Sequence, residues 1–351
     1  MVFKRFLGVI LALLTVVAMV ACGQQQPADE TKESETKAEA VTGPAAESET
    51  EKAKEDVNVY VITGPTGIGA VSMWAEADNG QGLENYHFTL VASPTEVVAK
   101  LSNGEADIAA VATNMAAKLY KSTSGGVKIL AVNTLGVLQV LTNQGAKVES
   151  LADLKGRTVY TTGQGANPEY VLNDLLRKNG VDPEKDLTIN FKAEGTELVT
   201  VWASEPEAVI VAPQPVATAI LKKYEGSSIS LDLTDEWNKV NTDSELMMGC
   251  VVVRTAFLEA HPQAVANFLK DYEASVKSVT EDPGKAGTLC AQYGIVAQGP
   301  VATAAIPHCH ICCITGQTMK DKLSGYLGVL LAADPTSVGG AIPDDAFWYM
   351  G

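Results

Sequence analysis

The chain repeats itself after about one hundred residues, and this repeat constrains its fold more than any other feature. "VYVITGPTG" begins at Val59 and "VYTTGQG" at Val159; "TEVVAKLSNGEADIAAVATN" begins at Thr95 and "TELVTVWASEPEAVIVAPQ" at Thr196. The anchor pairs Val59/Val159, Thr95/Thr196 and Val111/Val211 are offset by 100, 101 and 100 residues. Several collinear echoes imply two lobes built on one plan.

Each unit reads as strand, loop, helix. Residues 57–62 are a short run of apolar β-formers, and the glycine-rich turn at 64–69 opens a helix through Trp74. Residues 95–101 have a helical pattern and 108–112 read as a buried strand, with Thr113 and Asn114 expected to cap the next helix. The second unit follows suit: strand 157–161, a turn at Gly163-Gln164-Gly165, helix 168–177, strand 208–212 and a turn at Pro213-Gln214-Pro215. Beyond Val240, residues 249–253 read as a strand and "HPQAVANFLKDYEASVKSV" as an amphipathic helix with Pro262 in its first turn. Strands alternating with helices predict an α/β fold of two similar lobes, each with a parallel-type sheet, and a ligand cleft between them. The expected division is 57–143 plus 246–351 for lobe 1 and 144–245 for lobe 2. A two-strand hinge would cross out near 141–145 and back near 244–248.

The ends read differently. Lys4 and Arg5 precede an apolar stretch that closes in Ala21-Cys22-Gly23, the form of a secretory signal spanning 1–22. A cysteine at the cleavage position resembles the bacterial lipobox, which implies lipid attachment at Cys22. Residues 23–56 lack aromatics, and from Asp29 to Asp56 ten acids face four bases, a net of −6. Such a segment buries too little apolar area to offset its ordering entropy, so an acidic flexible tether is expected. Taking that −6 and the +2 of Lys4 and Arg5 from the formal −16 leaves −12 on the remainder. An acidic body argues against nucleic acid as a partner and against adsorption on anionic lipid. No later segment is long and apolar enough to span a bilayer.

In open α/β sheets, ligands bind beyond the carboxyl ends of strands, where loops meet helix N-termini. That rule selects 64–69 and 112–115 in one lobe, and 162–168 and 213–215 in the other. These loops offer Thr66, Gly67, Thr113, Asn114, Thr162, Gln164, Gly165, Asn167 and Gln214, and contain no Lys, Arg, Asp, Cys or His. Their glycines and prolines also make tight turns, whatever else they do. Trp74, Tyr170 and Trp202 read as core.

Catalytic constellations are missing: there is no G-x-S-x-G, no G-x-x-x-x-G-K, no H-E-x-x-H and no carboxylate pair near a histidine. "PHCHICC" at 307–313 does concentrate metal-ligand chemistry in His308, Cys309, His310, Cys312 and Cys313. On an extended segment His308, His310 and Cys312 would share one face, and Cys309 and Cys313 the other, so no single ion would be met by all five. Cys309-x-x-Cys312 is half a zinc motif without a second half.

With the lipobox and acidic tether, "PTGIGA", "LSNGEADIAAVATNMAAKLY", "LADLKGRTV" and "GCVVVRTAFLEAHPQAVANFL" resemble extracytoplasmic substrate-binding proteins of ABC transporters. The similarity is greatest to the nitrate/sulfonate/taurine and thiamine-precursor type, and covers roughly 57–330. The resemblance implies a periplasmic-binding-protein-like fold of type II, a monomer without cofactor, and lobes that close on a small solute. It also implies docking on a permease driven by a cytoplasmic ATPase, with the lipid anchor holding the protein to the membrane. The family also resembles eukaryotic thiamine-pyrimidine synthases, which carry a cysteine-rich iron motif that nothing else in this chain matches. A metal-binding protein using the 308–313 cluster, and a sensory module presenting its ligand to a receptor, are the rival readings.

Overall fold

The computed structural model describes residues 53–91, 93–143, 146–205 and 207–351. The signal sequence, Cys22 and nearly all of the tether therefore lie outside the described residues. The last tether residues do not: Asp56 opens the first strand, and the Glu55 backbone donates to the Glu84 carboxylate at 2.6 Å. The ordered body begins before Val57.

The first lobe starts with β1 (Asp56–Ile62), α1 (Pro65–Ile68), α2 (Val71–Asp78), β2 (Asn85–Val91), α3 (Pro94–Asn103), β3 (Ile108–Ala112), α4 (Thr113–Ser122) and β4 (Val127–Thr134). Next come β5 (Leu138–Asn143), β6 (Thr158–Thr162), α5 (Asn167–Lys178), β7 (Thr188–Lys192), α6 (Gly195–Ser204), β8 (Val209–Pro213), α7 (Val216–Lys223), β9 (Ser227–Asp232) and α8 (Leu233–Val240). The chain then forms β10 (Gly249–Arg254), α9 (Thr255–Ala260), α10 (Pro262–Glu281), α11 (Pro283–Gln292), α12 (Gly299–Ala305), β11 (Ile311–Ile314) and α13 (Gly316–Ala333). Among the described residues no helix is long and apolar enough to cross a membrane.

Two sheets result, ordered β11-β4-β10-β3-β1-β2 and β7-β6-β8-β5-β9. The repeat is visible in their registers. Val59 and Tyr60 lie opposite Ile108 and Ala109 in parallel, and Val159 and Tyr160 lie opposite Val209 and Ile210 in the same way. Both sheets are mixed, which corrects the parallel-type expectation. β10 runs antiparallel between β3 and β4, and β5 runs antiparallel between β8 and β9. Each of these strands enters its sheet from the other half of the chain, so it arrives pointing the opposite way.

β5 carries a second correction. Residues 138–143, expected to end lobe 1, hydrogen-bond into the second sheet, so the outward crossing is the short link 135–137 and not 141–145. The stretch from Val127 to Leu141 is apolar apart from Lys128, Asn133-Thr134, Gly136 and Gln139, and composition alone places no break at 135–137. The chain returns through 241–248.

One buried cluster runs through both lobes, with Val111, Ile129 and Val252 from one sheet and Val159 and Val211 from the other. Between them pack Leu172 and Leu175 of α5 and Leu323 and Leu327 of α13. Separate clusters fill the far faces: Val59, Phe268 and Tyr272 behind the first sheet, Tyr160, Leu198 and Trp202 behind the second. Amphipathic α10 lies on the first of these with Val265, Phe268, Tyr272, Val276 and Val279 turned inward, as its spacing demands. Trp74 stacks between Phe88 and Tyr293, and Tyr170 and Trp202 are buried, so all three aromatics belong to packing.

Candidate functional site

The first turns of α4 and α5 meet across the joint between the lobes. β3 delivers Thr113 and Asn114, and β6 with its glycine turn delivers Asn167. Thr113 is fully buried; its hydroxyl donates to the Met247 carbonyl and accepts from the Asn167 side-chain amide at 3.3 Å. The same Asn167 nitrogen donates to the Met248 carbonyl at 2.8 Å, a better length. A residue of the second lobe is thus hydrogen-bonded to the strand-end backbone of the first. Thr113 and Asn114 were expected to cap α4, but its N-cap is Ala112 and no side chain caps it. Their polar atoms are directed instead at Met247 and at Ser337, whose carbonyl accepts from Asn114 Nδ2 at 3.3 Å.

The other expected residues are placed less alike. Thr66 is half-buried, and its carbonyl accepts from Asn133 Nδ2 at 3.0 Å. Gly67 has a reason of its own: a Cβ there would lie 2.3 Å from the Ile62 carbonyl oxygen. Thr162 is buried at the end of β6, while Gln164 and Gly165 are exposed. Gly165, at φ +72°, gives its amide to the Glu169 carboxylate one turn on, so that helix entrance already holds an internal anion. Gln214 is committed within its own lobe. Its nitrogen donates to Gln139 Oε1 at 2.7 Å, and its oxygen accepts from the hydroxyl and the amide of Thr218. The geometry joins Asn167 to Thr113, with Asn114 next to it on α4, while Gln164 is exposed and the Gln214 side chain is paired with Gln139 and Thr218.

Sequence reasoning missed Asn133. Buried at the end of β4, it donates to Thr66 and to the Tyr272 hydroxyl and accepts from Thr134, which ties the α1 loop to the sheet. Gly249, paired with Thr134 on β10, leaves no room for a side chain, since a Cβ would sit 2.6 Å from Asn133 Oδ1. The available signal was a polar Asn133-Thr134 pair inside an apolar run.

The His/Cys segment is not extended throughout: a 3-10 turn over Ile306–His308 and a tight turn precede β11. His308 is exposed, and His310 adopts φ +46° with its ring against the Gly136 carbonyl of the inter-lobe link. Cys309 and Cys313 pack into the cluster behind the first sheet, whereas Cys312 faces the opposite cluster and the Val132 carbonyl. Burial pushes the thiols of Cys290, Cys309, Cys312 and Cys313 up to about 12, which disfavours the thiolate a metal would need. Among the described residues no group of three or more His, Cys, Asp or Glu is set to hold a metal ion.

Two lobes of this strand order, linked twice and meeting at helix N-termini, define the periplasmic-binding-protein-like two-lobe class. Solved structures agree. A Parabacteroides distasonis ABC transporter protein is 22% identical over 84% of this chain and 98% of its own, with a TM-score of 0.70. The periplasmic aliphatic sulphonate binding protein of Escherichia coli is 12% identical over 83% of this chain and 96% of its own, with a TM-score of 0.67. A zinc-bound ligand-binding component of an ABC-type import system from Staphylococcus aureus is 14% identical over 85% and 97%, with a TM-score of 0.64. No curated protein sequence matches the chain. The model of the family described as NMT1/THI5 like matches residues 80–286, and the chain belongs to that family.

Proposed function

We propose that the chain is the extracytoplasmic solute-binding component of an ABC importer. It captures a small organic solute between its lobes and passes it to a permease driven by a cytoplasmic ATPase. The observation that carries this reading is the buried junction of Thr113, Asn114 and Asn167, where uncharged polar groups from two lobes converge at helix N-termini. Strong anion sites employ Arg or Lys, and none lies in the selected loops. The Gly165 amide is also already taken by Glu169. A neutral or zwitterionic organic solute, such as a heteroaromatic one, therefore fits better than nitrate or sulfate.

A thermal-shift screen of residues 53–351 against vitamins, sulfonates, polyamines and nucleobases tests this. A true solute at a hundred times its dissociation constant adds about 2.7 kcal/mol of stability. An unchanged melting temperature across the screen, with a shift produced by sulfate or nitrate alone, contradicts the organic-solute reading.

Membrane attachment through lipidated Cys22 belongs to the same proposal, supported by the apolar run that ends at Ala21. Cys22→Ser is expected to release the protein from the membrane fraction or leave it unprocessed. The same membrane fraction for both forms would show that Cys22 is not the anchor.

A further inference from the structure

The "PHCHICC" run forms no metal site, yet one of its residues grips the crossing between the lobes. Among the described residues only Ser124 and His310 combine a side chain with positive φ, and His310 takes +46°. Histidine enters that left-handed region more readily than most residues, but such a conformation persists only where the surroundings hold it. Here they do. His310 stands just before β11, which pairs with the end of β4 through Ile311 and Thr134. It carries that pairing one residue past the sheet, because its carbonyl accepts from the Leu135 amide at 3.2 Å. Its ring turns to the next residue of the outgoing link, where Nδ1 meets the Gly136 carbonyl. A carbonyl oxygen only accepts, so Nδ1 carries the proton.

The rest of the link is held by the second lobe. The Val137 carbonyl accepts from the Gln214 amide at 2.9 Å. Gly136 lies against α8 and the returning link, since a Cβ there would sit 2.2 Å from Thr234 Oγ1 and 3.0 Å from Leu246 Cδ1. Three consecutive residues thus pass from one lobe's grip to the other's, and Gly136 is the point of change. Resting on the solute-capture reading above, we infer that His310 is a positioning residue for lobe closure. It straps the outgoing link to the first lobe, so bending is concentrated at Gly136. The strap is formed in the arrangement in which Asn167 of the second lobe meets the Met248 carbonyl of the first, and it favours that joined arrangement. Its requirements are a hydrogen-bond donor on Cγ and a residue that accepts positive φ. Two substitutions separate them. His310→Asn keeps both, because Asn Nδ2 hangs from Cγ as His Nδ1 does and asparagine also enters the left-handed region. His310→Gly keeps the backbone conformation and removes the donor. His310 is exposed, so neither change empties the core.

The test uses the full chain in detergent micelles without solute, so it does not wait on the solute's identity. Nitrogen NMR of the neutral imidazoles is expected to show a ring protonated at Nδ1 whose signal is lost in both His310 variants. This measurement on the wild type stands even if a variant fails to fold. In His310→Gly the Leu135 amide is expected to exchange with solvent about fivefold faster, the worth of one ordinary hydrogen bond, while the Gln214 amide keeps its wild-type rate. His310→Asn is expected to restore the wild-type rate at Leu135. Small-angle neutron scattering with the detergent contrast-matched should give His310→Gly a larger radius of gyration than the wild type or His310→Asn. A wild-type His310 protonated at Nε2 alone overturns the strap. Equal acceleration at Leu135 and Gln214 also overturns it, since that marks general loosening, as does a His310→Asn variant that behaves like His310→Gly. Equal radii for all three proteins, with Leu135 alone faster, overturn the coupling to lobe arrangement. The solute-closure reading fails by a different result, an unchanged radius when the wild type is saturated with solute.

Discussion

Trp237→Ala is expected to lower stability by about 3–5 kcal/mol, the usual cost of emptying a buried tryptophan site. Trp237 is fully buried on α8, with its ring 5.5 Å from that of Tyr326 on α13. Its indole nitrogen donates to the Ser244 carbonyl and hydroxyl, both at 3.2 Å. One residue therefore ties the second lobe to the C-terminal helix and to the returning link at 241–248. Alanine removes the apolar filling and also leaves the Ser244 carbonyl without that donor. Chemical denaturation of the variant should show a lower midpoint at an unchanged slope, because folded and unfolded states keep their surfaces. A loss below about 1 kcal/mol would mean that the joint repacks around the vacated ring.

Asp107→Ala is the second large effect, at about 3 kcal/mol, from breaking a buried charge pair. The Asp107 carboxylate accepts from the Asn58 backbone and side chain, both at 3.0 Å, and from Arg254 at 2.6 Å. It thereby joins β1, the entry to β3 and the end of β10. The pair is 6% exposed at Asp107 and 27% at Arg254, so water reaches the guanidinium and the cost stays at the lower end of the range for fully buried pairs. Asp107→Asn keeps an acceptor for Asn58 and should cost about half as much. Equal losses for the two substitutions would show that charge, and not hydrogen bonding, carries the contribution.

The parts of the fold legible in the sequence are those fixed by local pattern. Strand β3 over 108–112 is readable because five apolar residues lie between a polar entry and a polar exit. The repeat offsets of 100 and 101 reappear as equivalent registers because both lobes pair their first and third strands alike. Strand direction was not legible. β5 and β10 are apolar runs like their neighbours, and only the long-range path of the chain reverses them. The link at 135–137 escaped notice for the same reason, since crossing between sheets is decided by pairing partners far away in sequence.

The site divides along the same line. Thr113 and Asn167, selected by the rule that ligands bind where loops leave strand ends, are hydrogen-bonded to each other. Gln214 obeys the same rule, yet its amide is taken by Gln139 and Thr218, which no local window brings beside it. Gln164 is carried outward by a turn with both glycines, Gly163 and Gly165, at positive φ. The His/Cys run looked like a ligand cluster only while adjacent residues were taken as adjacent in space. Strand alternation sends Cys312 and Cys313 to opposite faces.

The central claim is that the lobes close on a solute at the junction of Thr113, Asn114 and Asn167. Small-angle scattering of residues 53–351, alone and saturated with the compound that most raises its melting temperature, tests that claim most directly. The account predicts a smaller radius of gyration with solute, as rigid lobes turn about the links at 135–137 and 241–248. Superimposable curves at saturation would contradict closure and leave a rigid, preformed site in its place.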